Sequence, residues 1–228
     1  MHDVEVGTEH RAGNRTVGNE SEAAIGMKRA FDLCVASITQ LLLSPIMVIV
    51  ALLVRVNLGS PVLFRQTRPG LNGEPFGIIK FRSMSDECDS EGKLIPEADR
   101  IGRFGHFIRT TSLDELPELL NVLTGTMSLV GPRPLLMRYM DRYSPEQARR
   151  HDVRPGITGL AQVEGRNAIS WEEKFDFDVY YVDHHSVWLD IKILFRTAVK
   201  VLQREGISLE GYTTSPEFTG SAPDSPTE

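Results

Sequence analysis

From Leu33 to Val54 the chain runs LCVASITQLLLSPIMVIVALLV without a charge, and no other feature limits its fold so strongly. As a helix rising ~1.5 Å per residue the run is ~33 Å long, which matches a bilayer hydrocarbon core of ~30 Å. A core helix of a small domain rarely stays uncharged on every face over that length. The run is therefore expected to meet a membrane. Ser44-Pro45 sits at its middle, where proline removes an i to i−4 hydrogen bond and bends the helix. Lys28 and Arg29 flank one end and Arg55, Arg65 and Arg68 the other, so the positive-inside rule gives no orientation. A kinked span fits these facts. So does a hairpin dipping into one leaflet, each arm ~15–18 Å long and about half the core's depth.

Charge narrows the function classes. Of the formal −6, residues 1–24 contribute five acids against two bases and residues 211–228 three acids and no base, leaving 23 of each sign in 25–210. A neutral folded part does not gather nucleic acid and does not repel an anionic lipid surface; no nucleic-acid partner is expected. Both ends lack apolar periodicity and read as disordered, 1–24 as an N-terminal tail and 211–228 as a flexible C-terminal one. Cys34 and Cys88 form neither a disulfide framework nor metal-ligand spacing, and the acidic start carries no features of a secretory signal. At 228 residues the chain supports one sizeable core: a membrane helix over 25–58 and one folded domain over 59–210.

Two strand-like runs, PVLFRQ and PFGIIKFRSM, follow the membrane segment. Period-two alternation in the second sends Ile79 and Phe81 to one face and Lys80 and Arg82 to the other. After the polar loop SDECDSEGKLIPEADR, helical spacing resumes in SLDELPELLNVL. SVWLDIKILFRTAVKVLQREG is amphipathic, with Lys192, Arg196, Lys200 and Arg204 beside Trp188, Ile191, Phe195, Ala198, Val199 and Leu202. Such a helix suits the headgroup plane of a membrane, or else packs on its own domain; the Leu33–Val54 run favours the membrane.

Four patterns bear on chemistry. Ser112-Leu113-Asp114-Glu115 has the form of a capping box, with Ser112 as N-cap and Glu115 reaching back to it. The amides of a helix start also bind phosphate, and neighbours ~100° apart on a helix let one carboxylate face a ligand while the other caps or holds a metal. Pro117 lies beyond the first helical position, so the turn is expected to be irregular. In GPRP, 131–134, two prolines stiffen the backbone that presents Arg133, either as a preorganised fork donor for phosphate or within a simple rigid turn. RHDVRPGITG, 150–159, offers Arg154 either to an anion or to solvent. Asp176-Phe177-Asp178 spells the acid-x-acid signature of many glycosyltransferase metal sites, yet in a helix residues two apart face different ways. No Walker loop or dinucleotide fingerprint is present.

KRAFD, Ser44-Pro45, SPVLFRQTRPG, KFRSM, SLDELPELLNVL, MSLVGPRPLL, RHDVRPGITGLAQVEGRN and SWEEKFDFDVYYV stand in this order over residues 27–210. Together they resemble the bacterial sugar transferase family, the monotopic phosphoglycosyl transferases, and most closely its small members of the type that starts N-linked glycan assembly. The polar N-terminal extension departs from that pattern, as do Leu160, where Trp is common, and Thr126, where Asp is common.

The resemblance implies a mostly helical α+β fold, monotopic, with a re-entrant helix broken at Ser44-Pro45, a short β-hairpin and amphipathic helices lying along the cytoplasmic face of the bacterial inner membrane. It implies transfer of a sugar-1-phosphate from a UDP-sugar, of an N-acetylated hexosamine type, to polyprenyl phosphate, with release of UMP. Asp114 would be the nucleophile with Mg²⁺ at its side, Glu115 sharing the metal or handling a proton. Arg109 and Arg133 would hold phosphate, supported by Lys80, Arg82 and Arg154. Membrane lipids are the further partners, and the oligomeric state stays open. Two rivals remain: a metal-dependent glycosyltransferase using Asp176 and Asp178, which would release UDP, and a membrane-surface scaffold without turnover.

Overall fold

The computed structural model describes residues 13–165, 169–203 and 217–220. Its first element is α1, Gly13–Asn57, with Pro45 inside it. The helix therefore begins within the segment expected to be disordered; residues 1–12 of that segment lie outside the described residues. Nor does α1 end at Ser44-Pro45: the expected break is a proline carried within one helical run, where Ser44 Oγ bonds back to the Leu41 carbonyl at 2.8 Å. A serine bonding back into the turn before a proline is a known cause of bending rather than termination.

The hairpin follows as expected. Strand β1, Leu63–Pro69, pairs antiparallel with β2, Pro75–Phe81, in a register running from Leu63↔Phe81 to Pro69↔Pro75. Then come α2, Glu97–Arg100, α3, Arg103–Thr110, and α4, Glu118–Thr124. A second two-stranded pair, which the sequence did not signal, joins β3, Ser128–Val130, in parallel with β4, Gly156–Thr158, across the short helix α5, Pro145–Ala148. Helices α6, Leu160–Glu164, α7, Trp171–His184, and α8, Val187–Gln203, complete a mostly helical α+β fold.

Among the described residues hydrophobic burial divides among three clusters. The largest gathers Ala36 of α1, Ile78 of β2, Leu119 and Val122 of α4, Met127, Leu129, Val130, Tyr181 of α7 and Ile193 of α8. A second joins Val50 and Val54 of α1 to Phe81 and Ile108, with Leu113 and Leu116 against it. Thus β2 is covered on both faces: Ile78 and Lys80 look toward α4, Phe81 toward the far half of α1. Ile78 and Phe81, on opposite faces, are both buried, because a strand sandwiched between two layers buries apolar groups on both sides. Both flanks of the apolar run pack on this one domain, while Leu41 and Leu42 at its middle are 75% and 70% exposed.

The two flanks are also anchored by polar groups. Lys28 Nζ meets Asp190 at 2.6 Å, and Tyr181 Oη donates to the other Asp190 oxygen at 2.7 Å. Asp32 accepts from Ser128 Oγ at 2.8 Å, and Arg29 donates to the Val122 and Leu123 carbonyls at the end of α4. The KRAFD motif is thereby accounted for as the clamp between α1 and the domain.

The third cluster is aromatic: Tyr139, Phe175 and Phe218, with Tyr143 and Trp171 packed against them. Phe218 belongs to the tail expected to be flexible, yet it is 1% exposed. A single large ring is enough to dock a polar segment where other rings leave room. The remainder of that tail, 211–216 and 221–228, lies outside the described residues.

Candidate active site

Ser112 does not cap a helix. Its φ of 55° is left-handed, a conformation that costs a non-glycine residue ~1–2 kcal/mol, and its side chain makes no capping bond. The strained residue turns the chain from α3 into a single 3-10 turn, Leu113–Glu115, after which Pro117 opens α4. Leu113 and Leu116 then fall on one side, against the α1 cluster. Asp114 and Glu115 fall on the other, where Glu115 is taken by cations rather than by the helix start.

Those cations come from two directions. Lys80 Nζ lies 2.8 Å from Glu115 Oε1, and Arg133 Nη2 lies 2.5 Å from the same oxygen. Lys80 also sits 2.9 Å from Glu118 Oε1, a carboxylate 1% exposed that the sequence reading passed over. Asn121 fixes the geometry between strand and helix: its Oδ1 accepts from the Ile79 amide at 3.0 Å and its Nδ2 donates to the Gly77 carbonyl at 2.8 Å. Lys80 on β2 is therefore held at a set distance from α4.

Asp114, 8% exposed, takes no part in the Lys80 and Arg133 bonds. Burial, and then the adjacent Glu115, pushes its carboxyl up to about 6. Burial alone would raise Glu115 too, but Arg133 and Lys80 outweigh it and hold Glu115 well below the usual carboxylate range. Glu118 is pushed up to about 7 by burial, Lys80 offsetting only part of it. One acid of the sequence pair is thus locked and ionised, while the other is buried with its negative charge incompletely compensated.

Of the other expected ligands, Arg109 is near enough to Asp114 to lower its proton affinity, and its Nε donates to Ser83 Oγ at 2.9 Å. Arg82 is not in the site. Its guanidinium donates to the Leu58 and Ser60 carbonyls just past the end of α1 and pairs with Asp86 at 3.2 Å. Arg154 is likewise structural: its Nε donates to the Gly125 carbonyl at 2.9 Å, closing the C-terminal end of α4. Arg68, expected only as a basic flank of the apolar run, stands at the end of β1, where burial and then Arg133 bring its guanidinium down to about 10.

Arg133 owes its placement to backbone crossings. Gly131 N bonds the Thr158 carbonyl at 2.9 Å and Gly156 N the Pro132 carbonyl at 3.0 Å. A Cβ on Gly156 would stand 2.1 Å from Gly131 N, so only glycine permits the approach. Arg150 then donates to the Arg133 carbonyl at 2.9 Å while pairing with Asp178 at 2.7 Å. Asp178 is 4% exposed and Asp176 faces solvent; the acid-x-acid pair does not converge on a metal. Among the described residues no group of three His, Cys, Asp or Glu side chains does.

A divalent magnesium ion keeps several waters and needs only one or two carboxylates when substrate phosphates supply the rest. Asp114 and Glu115 meet that requirement: both contacts to Glu115 fall on Oε1, and a cation would relieve the excess negative charge that raises Asp114. A buried anion ringed by Lys80, Arg109 and Arg133 is suited to charge-dominated phosphoryl transfer.

Comparison with known proteins identifies the family. Residues 23–204 match the sequence profile of the family described as bacterial sugar transferase. The chain is 55% identical over 195 residues to the uncharacterized sugar transferase EpsL of Bacillus subtilis, covering 86% of this chain and 96% of that one. It is 42% identical over 187 residues to the UDP-glucose:undecaprenyl-phosphate glucose-1-phosphate transferase of Caulobacter vibrioides, covering 77% and 69%. Against the Escherichia coli protein of the same name it is 42% identical over 186 residues, but the chain spans only 40% of that relative's length. The matched span contains every residue of the acid and base cluster, and the chain belongs to the bacterial sugar transferase family, as a transferase.

Proposed function

We propose that this enzyme moves a sugar-1-phosphate from a UDP-sugar to a polyprenyl phosphate in two displacements at Asp114. The observation that carries this reading is the division of labour in the acid pair: Glu115 is fixed by Lys80 and Arg133, whereas Asp114 stays outside those bonds. In the first displacement an Asp114 carboxylate oxygen attacks the sugar-bearing phosphorus. The bond to the other phosphate breaks and UMP departs with the electron pair. In the second, an oxygen of the polyprenyl phosphate attacks the same phosphorus, releasing Asp114 and leaving a lipid diphosphate sugar. An acyl phosphate keeps the group reactive between the steps.

Arg133 and Arg109 neutralise and orient the diphosphate, and Lys80 holds Glu115 and Glu118 in register. Bound Mg²⁺, held by Asp114 and Glu115, would supply Lewis-acid charge stabilisation on the phosphoryl oxygens. The names of the Caulobacter and Escherichia relatives give UDP-glucose as donor, which favours a UDP-hexose over the N-acetylated type implied by the small members.

The acceptor is a membrane lipid, and the surface of the protein suits it. Only 11% of the most apolar stretch of α1 is buried. On α8, Trp188, Ile191 and Phe195 are turned outward, 65%, 41% and 71% exposed, while Ile193 is turned in. An outward apolar stripe on a basic helix suits the headgroup boundary. An α1 that carries Pro45 at its middle and packs both flanks on one domain is read as re-entrant, dipping into the cytoplasmic leaflet of the bacterial inner membrane.

The test incubates the enzyme with a panel of UDP-sugars and Mg²⁺ without polyprenyl phosphate, then maps the adduct by mass spectrometry after rapid quenching. A phosphosugar on Asp114 with UMP in solution is expected. UDP as the released nucleotide, or release only when both substrates are present, would overturn the reading.

A further inference from the structure

We propose that the C-terminal segment around Phe218, outside the stretch that matches the family, is a strap that positions Arg133 for the donor diphosphate by way of Arg150. The inference rests on Arg133 being a phosphate ligand in the reaction proposed above. The family match ends at residue 204, before this segment.

Phe218 lies in TTSPEFTGSAPDSPTE, a segment with no other apolar side chain large enough to anchor it. Its ring meets Phe175 edge-on at 5.0 Å between centroids and stacks on Tyr143 at 5.8 Å, with Tyr139 and Trp171 at 5.7 and 5.5 Å. Outside this box Glu217 pairs with Arg138 and Arg142, each at 3.1 Å. Arg142 also donates to the Phe218 carbonyl. Packing and ion pairs act on the same short segment.

The two rings that Phe218 closes over are those that carry Arg150. Its guanidinium stands 5.6 Å from the Tyr143 centroid and 5.4 Å from that of Phe175, and its Nη1 donates to Tyr143 Oη at 3.2 Å. From there one bond leads to the Arg133 carbonyl, and the Arg133 side chain holds Glu115. Close-packed interiors transmit a void to its neighbours. Removing the Phe218 ring frees Tyr143 and Phe175 to shift, loosens Arg150, and lets the 131–134 loop drift from the geometry that binds phosphate. Phe218 is accordingly a positioning residue, which touches no substrate.

The experiment uses the full-length enzyme in nanodiscs with a UDP-sugar that wild type turns over, and reads KM for the donor against kcat. Phe218→Ala is expected to raise donor KM about tenfold, short of the hundredfold that an ångström's misplacement costs, with kcat within about twofold. Phe218→Leu keeps most of the volume and is expected to raise KM about threefold; it serves alone if Phe218→Ala does not accumulate. Arg133→Ala is the control. If it leaves donor KM unchanged, the underlying reading of Arg133 fails. If Arg133→Ala raises KM while Phe218→Leu and any folded Phe218→Ala keep the wild-type value and lose only thermal stability or active fraction, the strap is merely structural and the proposal is overturned.

Discussion

Removing the Asp178 carboxylate tests the frame of the site and the rival metal reading at once. Arg150 and Asp178 are 2% and 4% exposed, and the pair is doubly bonded, with Oδ2 accepting from Nη2 at 2.7 Å and from Nε at 3.1 Å. Asp178→Ala leaves a guanidinium buried without its anion, a loss of about 3–5 kcal/mol. For a chain of this size each kcal/mol moves Tm by ~2–4 °C, so Tm falls by ~6–20 °C. Asp176→Ala, on the exposed side of the same helix, changes stability by about 0.5 kcal/mol or less. The double variant Arg150→Met/Asp178→Leu removes both charges and recovers most of the loss, yet the Arg133 carbonyl still lacks its donor and donor KM stays high. Thermal unfolding in nanodiscs, followed by circular dichroism, gives the first quantity, and nucleotide release well below every Tm gives the second. A Tm for Asp178→Ala within ~2 °C of wild type would refute the buried-pair argument. Loss of turnover in folded Asp176→Ala and Asp178→Ala alike would reinstate the acid-x-acid metal site.

The remaining predictions concern the cluster and the membrane. Burial and then Glu115 raise the Asp114 carboxyl to about 6, and the attacking form is the anion, so donor kcat/KM falls about tenfold per unit below about pH 6; a profile flat down to about pH 4, the ordinary carboxylate range, contradicts a buried nucleophile. Asp114→Asn abolishes UMP release, whereas Glu115→Gln, which keeps the attacking oxygen, slows turnover by about a hundredfold, as a coupled nucleotide assay reads; equal losses in both would erase the division of labour. Lys80→Met leaves the buried Glu118 and Glu115 without their shared cation and destabilises the fold by about 3–5 kcal/mol, measured by denaturant unfolding in detergent. Cysteines at Gly26, where a Cβ meets nothing within 4 Å, and at the exposed Asn57, introduced with Cys34 and Cys88 replaced, should both resist an impermeant thiol reagent in intact cells; labelling at 26 alone would mean a span.

The sequence by itself determined the elements whose causes are local or written in residue order. The uncharged Leu33–Val54 run, the hairpin and the amphipathic α8 follow from periodicity, and the ordered motifs placed the chain in its family. The same motifs point to Asp114, Glu115 and Arg133, which the fold brings into one charged cluster. Tertiary structure decided what each charged side chain does, because an arginine's partners are carbonyls and carboxylates remote in sequence. Arg82 and Arg154 match phosphate-ligand motifs but hold backbone carbonyls at or just past helix ends, while Glu118, in the motif of Asp114 and Glu115, gains its role only from Lys80 standing between it and Glu115. Ser112 matched a capping box that the left-handed turn does not form, whereas Ser170 and Glu173 do form one at the start of α7; the pattern is alike, and competition from Lys80 and Arg133 for Glu115 makes the difference. Phe218 lies in a segment whose composition reads as disordered, and only the empty place among four other rings, assembled from residues 139–175, gives it a position.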